Sequence, residues 1–349
     1  MDPVKKERYL PTLDGWRAIA ILMVVASHLI TKHSANQSSP LYGIAFRMGT
    51  LGVMLFFAIS GFLICTRLLI EEESQGSISL RSFYIRRVFR ILPAAYVYLG
   101  AMILLGTAGV IVLEWRDILG PALFYANYQP VNSWNTGHYW SLSLEEHFYI
   151  LWPPMLVLLG RSGARWACVG LICLTAALRV WVGAEGVEAG QTHLRLDAFL
   201  FPCLMAITLR ERGFAGRFKG AMKTWVWLLI AAITGMGLVL AYLVPAWKEL
   251  QRLLQSAVFP TLIAATVLQP DDWLGRCLRL PALEWLGRIS YSIYLWQQVV
   301  VSGDLGIPLV FQVPLILLMA VASERLVERP MIALGKKFAG SRTGGYALP

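Results

Sequence analysis

The apolar residues of this chain run together in long blocks separated by short polar stretches. Blocks long enough to cross a bilayer, roughly 20 residues with some latitude, centre on 15–32, 50–70, 88–112, 146–160, 165–183, 197–210, 224–244, 252–269, 286–302 and 307–326. The pattern predicts an all-α, polytopic membrane helix bundle of about ten transmembrane helices. A shorter block, Ile118 to Asn127, carries Gly120 and Pro121 and is too brief to cross, so it is placed as a re-entrant or interfacial helix. No internal repeat, low-complexity segment or flexible linker interrupts the series.

Composition agrees with the pattern. The 349 residues are 57% hydrophobic and only 15% charged, with a mean hydropathy of +0.58, far more apolar than a soluble domain. One integral membrane domain, 1–349, is expected, with a short cytoplasmic tail at 331–349 and no appended soluble domain. The first residues are charged and the following block contains Arg17, so the first span is expected to stay in place rather than be cleaved. The formal charge of +10 could suggest nucleic acid, but in a membrane chain basic residues gather in cytoplasmic loops. With the amino terminus inside, 24 of the 31 Lys and Arg residues fall on inner segments. The outer segments keep Lys32, Arg47, Arg116, Arg179, Arg195, Lys248 and Arg252. Treating Ile118 to Asn127 as a full span would move the basic "RERGFAGRFK" and the tail outside, so ten spans with both termini cytoplasmic are favoured. No nucleic-acid partner is expected. The five cysteines are scattered without metal-ligand spacing, and no metal site is expected.

Polar side chains inside apolar blocks are costly and therefore mark work or a partner. In "DGWRAIAILMVVASH", Arg17 and His28 are eleven positions apart, almost three helical turns. Both project from one face, about 16 Å apart along the axis. Arg17 lies near the inner boundary and His28 deeper or toward the outer half. The alternatives are that Arg17 snorkels beside Asp14 and that His28 bonds a neighbouring helix. In "GHYWSLSLEEHFYILWP", Ser143 and Glu146 fit a capping box at a helix start. Glu145 has no such role, and a half-buried carboxylate can steady an imidazolium. In "RSFYIRRVFRILP", Arg86 and Arg90 share a face with Arg87 adjacent, offering guanidinium forks to a phosphate or to anionic lipid headgroups. Further candidates are Ser60 in "GVMLFFAISGFLI", Arg195 and Asp197 in "RLDAF", Tyr291 in "GRISYSIYLWQQ", and "ERP" at Glu328. Arg195 and Asp197 also suit an outer-surface ion pair.

Taken in order along the chain, these segments resemble the integral membrane acyltransferase-3 family, whose members O-acylate sugars of surface polysaccharides, lipopolysaccharide, Nod factors and some macrolides. The resemblance runs from Leu10 to about Pro330. It includes Arg17 and His28 at the family's arginine–histidine spacing, "GVMLFFAISGFLI", "RRVFR", "HYWSLSLEEHFY" and "SYSIYLW". It implies ten transmembrane helices, a cytoplasmic (inner) membrane location and acetyl-CoA or another acyl-CoA as donor. Many relatives add a periplasmic hydrolase-like domain, which this chain is expected to lack. It departs from the pattern at Gln297, where many relatives carry His after "YLW", at His147 within "EEHFY", and at Phe201 and Pro202 after "RLDA".

The resemblance and the spacing together lead to an expected mechanism. Arg17, Arg86, Arg87 and Arg90 would hold the phosphates of coenzyme A near the cytoplasmic face. His28 would take the proton from a saccharide or glycoside hydroxyl, steadied by Glu145 or Glu146. Ser60, Trp140 and Tyr149 are candidate substrate and oxyanion contacts, with Arg195, Asp197 and Tyr291 on the acceptor. A covalent variant has His28 accept the acyl group itself. The alternative is a transporter or lipid-linked sugar flippase in which His28 and the glutamates relay protons. The acceptor, the acyl length and the oligomeric state are left open by the residues.

Overall fold

The computed structural model describes residues 10–34, 36–130, 133–183, 190–222 and 248–340, and no strand occurs among them. The helices are α1 Pro11–His33, α2 Pro40–Gln75, α3 Leu80–Thr107, α4 Trp115–Ala122, α5 Trp134–Gly137, α6 Tyr139–Val182 and α7 Asp197–Thr208. They continue as α8 Phe214–Ala221, α9 Lys248–Leu268, α10 Trp273–Leu278, α11 Pro281–Arg288, α12 Ser290–Val301, α13 Leu309–Ser323 and α14 Arg329–Phe338. A π-helical turn, Glu324–Glu328, joins the last two.

Five helical runs among the described residues are long and apolar enough to cross a membrane: Pro11–His33, Pro40–Gln75, Leu80–Thr107, Trp134–Val182 and Leu309–Phe338. The chain is accordingly a multi-pass membrane protein. Six of the ten expected spans lie on these runs, because α6 carries both 146–160 and 165–183. Its two halves part at Gly160, where φ 62 and ψ 178 fall in a region essentially reserved for glycine. Span 197–210 is represented by the 12-residue α7 and 252–269 by the 21-residue α9. Span 286–302 is divided between α11 and α12 at Ile289, which leaves helical geometry at φ −92, ψ 5. The expected span 224–244 lies outside the described residues, as do the basic residues Lys5, Lys6, Arg8, Lys223 and Arg342. The short block at 118–127 becomes the eight-residue α4, about 12 Å long at 1.5 Å per residue and far short of a bilayer.

The described residues fall into two compact units, one drawn from within Met1–Val53, Ser79–Ser143 and Pro281–Pro349, the other from within Met54–Ile78 and Leu144–Leu280. In the first, α1 packs on α11 and α12, α12 on α13, and α3 on α14. Pro11 opens α1, a position where its missing N–H is harmless and its fixed φ helps. The small residues Ala18 and Ala20 are fully buried beside Ile21 and Val24, which lets neighbouring helices come close. The approach to α11 is the tightest: a Cβ added to Gly287 would sit 1.9 Å from the Asp14 carbonyl oxygen. Glycine at 287 therefore seats the N-terminal end of α1.

In the second unit, α7 lies along α9, and Phe199 of α7 stacks on Phe57 and Phe148 with ring centres 4.7 and 4.6 Å away. Arg161 bridges Glu72 and Glu73 at 2.7 and 2.8 Å, and Arg210 reaches Glu73 at 2.7 Å. Both units expose large apolar side chains along their long helices, Leu104 and Leu318 in the first and Leu158 and Trp181 in the second. Such surface suits acyl chains rather than water.

Candidate functional site

The first unit holds the arginine–histidine pair on α1. Arg17 Nη1 donates to Asp14 Oδ1 at 2.8 Å, one turn back on the same helix. Asp14 is itself buried and shares its turn with the Gly287 contact, so Arg17 is anchored at the most tightly packed part of α1. Eleven residues on, the half-buried His28 meets α12: its Nδ1 and Gln297 Oε1 are 2.8 Å apart. The imidazole meets the edge of Trp134 at 5.3 Å between ring centres, and Lys32 Nζ lies 4.9 Å over the same indole. Trp134 is fixed in turn by its Nε1–H, which donates to the Gln298 carbonyl at 3.0 Å.

Arg86, Arg87 and Arg90 stand half-buried along α3. The Arg87 guanidinium lies 5.7 Å over the Phe83 ring. Arg90 is close enough to Glu328 for their charges to interact, and Glu328, buried at the end of the π-helical turn, bonds Ser292. Tyr291 ties α12 to this stretch by donating to the Ile91 carbonyl at 2.9 Å. Three guanidiniums on one helix are a donor set that fits phosphate oxygens. Among the described residues, no group of three or more His, Cys, Asp and Glu side chains is arranged to hold a metal ion.

The second unit holds a separate cluster. Glu145 Oε1 accepts from Ser60 at 2.8 Å and Oε2 from Tyr149 at 3.1 Å, with the two hydroxyl oxygens 3.4 Å apart. Sequence reasoning selected all three residues, and the fold brings them together. Glu146, next along α6, is also half-buried, and the Nδ1 of His147 lies 2.6 Å from Thr192 Oγ1. Trp140, in the first turn of α6, is half-buried in the first unit.

Two local expectations are corrected. Ser143 is not a helix cap, because α6 begins at Tyr139 and Ser143 lies a turn inside it. Its hydroxyl donates back to the Tyr139 carbonyl at 2.8 Å and accepts from the Ala126 amide at 3.2 Å. Asp197 is not paired with Arg195 at the surface. It is buried against Arg179, with Nη1 to Oδ1 at 2.8 Å and Nη2 to Oδ2 at 3.1 Å, and accepts from Ser256 at 3.1 Å. Arg179 also donates to the Leu194 carbonyl at 2.8 Å, whereas Arg195 Nη1 lies 3.2 Å from Met54 Sδ.

Charge counting sets Arg179 among the outer segments, although its place inside the 165–183 block was the available signal of a buried partner. His138 was also passed over. It is buried and ringed by Tyr98, Tyr139 and Tyr294 at 5.1, 5.0 and 5.5 Å between centres.

The acyltransferase domain model matches residues 10–323. The chain belongs to the acyltransferase-3 family. Its curated relatives include a Staphylococcus aureus (strain COL) protein provisionally named an O-acetyltransferase, 29% identical over 95% of this chain and 59% of that protein. A Bacillus subtilis (strain 168) protein provisionally named a peptidoglycan O-acetyltransferase is 29% identical over 94% of this chain and 56% of its own. The peptidoglycan O-acetyltransferase of Listeria monocytogenes is 26% identical over 98% of this chain and 59% of its own. The chain thus spans somewhat over half the length of these acyltransferase-3 relatives. No solved structure matches it.

Proposed function

We propose that this acyltransferase-3 chain is a membrane O-acyltransferase of the cytoplasmic membrane, with both termini cytoplasmic. It moves an acyl group, acetyl by preference, from a cytoplasmic acyl-CoA to a hydroxyl of a saccharide. The names of the peptidoglycan O-acetyltransferase relatives favour a cell-wall or other surface glycan as acceptor. The observation that carries the reading is α1 itself. One helix, inside the family match, presents a guanidinium anchored by Asp14 at one level and a half-buried imidazole held at Nδ1 at another.

In this reading Arg86, Arg87 and Arg90, with Arg17, bind donor phosphates through charge-assisted forks. His28 takes the acceptor hydroxyl proton as the oxygen attacks the thioester carbonyl. The carbon–sulfur bond then breaks, and the imidazolium returns the proton to the departing CoA sulfur. Ser60 and Tyr149, oriented by Glu145, are candidate saccharide contacts, as are Trp140, Arg195 and Tyr291, whereas Asp197 is taken up by Arg179 and Ser256. Calorimetric titration of the purified protein with CoA tests the donor. Stoichiometric binding that weakens in Arg90→Ala supports the reading, whereas no binding at all would return the chain to a transporter's role.

A further inference from the structure

We infer that Gln297 is a positioning residue that fixes the tautomer of His28, placing the proton on Nδ1 and leaving the Nε2 lone pair as the base. The inference rests on the reading of His28 as the proton acceptor and gives a task to a position where the family resemblance offered none.

Hydrogen-bond polarity fixes where the proton sits. The Gln297 side chain is fully buried, so its amide needs partners for both ends. Its Nε2 faces the Tyr294 carbonyl of its own helix at 3.5 Å. A carbonyl can only accept, so the amide NH2 belongs on that side and Oε1 belongs on the other. Oε1 also can only accept, and its neighbour is His28 Nδ1 at 2.8 Å. Nδ1 must therefore carry the hydrogen, and in a neutral imidazole the second nitrogen is then unprotonated. Trp134 braces the ring edge-on at 5.3 Å, which keeps it from rotating away from the amide.

The choice of an amide has its own consequence. A carboxylate at Nδ1 would stabilise the charged imidazolium, while an amide orients the ring without adding a charge. Among the described residues, Lys32 lies over the Trp134 ring that braces His28, and His138, just after α5, is close enough for its charge to interact with His28. Neither supplies a negative charge at Nδ1.

Nitrogen-15 NMR of this chain in nanodiscs, labelled at its five histidines and assigned by loss of one signal pair in His28→Ala, reads the tautomer directly. Protonated Nδ1 and unprotonated Nε2 at His28 are expected, with the preference lost in Gln297→Leu. A hydrogen on Nε2 in the wild type, or an unchanged tautomer in Gln297→Leu, overturns the inference. Turnover of acetyl-CoA with a muropeptide acceptor adds a kinetic reading. Gln297→Leu is expected to lower kcat about 10- to 100-fold, the range seen when the partner orienting a metal-bound histidine is removed, with little change in the donor KM. Gln297→Glu keeps the acceptor and is expected to stay active with the acid limb of its pH profile moved to higher pH. A Leu variant as active as wild type beside an inactive Glu variant would show that the position only packs. If the tautomer is as inferred but His28→Ala retains turnover, the catalytic reading fails and the assignment of Gln297 stands.

Discussion

Two buried polar arrangements, one in each unit, solve the same problem in opposite ways. In the second unit Arg179 and Asp197 meet as full charges and use up one another. Two parallel hydrogen bonds join them, and Leu194 and Ser256 take further lone pairs and hydrogens. In the first unit His28 meets a neutral amide that engages one nitrogen only. The saturated pair has nothing left to offer a substrate, and a buried pair of that kind serves to hold helices together or in register. The imidazole keeps a reactive atom. Burial of charge alone therefore does not mark a working residue; an incomplete set of partners does.

The comparison can be broken most sharply at His28. Its replacement by Ala is expected to remove acyl transfer, a loss of at least about 10²- to 10⁴-fold if it is the general base, with the protein still folded and membrane-inserted. Turnover and size-exclusion behaviour measured on the same sample check both halves. The converse expectation holds for Asp197→Ala, which strands the Arg179 guanidinium and should cost about 3–5 kcal/mol of stability, read as a lower thermal midpoint in detergent. A double replacement, Arg179→Met with Asp197→Leu, should recover most of that loss. If Asp197→Ala instead melts normally but loses acceptor binding, Asp197 belongs with the substrate and the contrast between the units fails.

Smaller effects sharpen the picture. Arg90→Ala should weaken CoA binding by about 1.5–3 kcal/mol, the range for a hydrogen bond to a charged group, as measured by calorimetry. Gly287→Ala forces a methyl group onto the Asp14 carbonyl oxygen and should cost about 1–3 kcal/mol, as overpacking does. Because the disturbed turn also holds Arg17, donor affinity should fall along with thermal stability.

Much of this was legible beforehand. The helix α1 follows from its apolar block, the contacts weighed for its polar residues, Arg17 with Asp14 and His28 with a neighbouring helix, are both present, and the Ser60–Glu145–Tyr149 group was assembled from residues chosen one by one. The short block after α3 was read as non-crossing because Gly120 and Pro121 leave it too little length. What escaped has physical causes. Charge counting assigns arginines to sides of the membrane without asking about partners, so Arg179 stood among the outer segments with no partner named. The Ser143–Glu146 spacing matches a cap wherever the helix begins, and only the fold shows that α6 starts four residues earlier. Gln297 carries no charge and no periodic signal. Its partner lies 269 residues away in sequence, a distance over which spacing says nothing.

The bend at Gly160 has a consequence for what selection can tolerate. A library sampling every codon there should return glycine almost alone, since any side chain would clash with its own backbone at that torsion. The adjoining Leu158 and Leu159 face outward and should accept nearly any greasy substitute. Two neighbouring sites would thus show opposite tolerance, one dictated by the peptide chain and the other by the surrounding lipid.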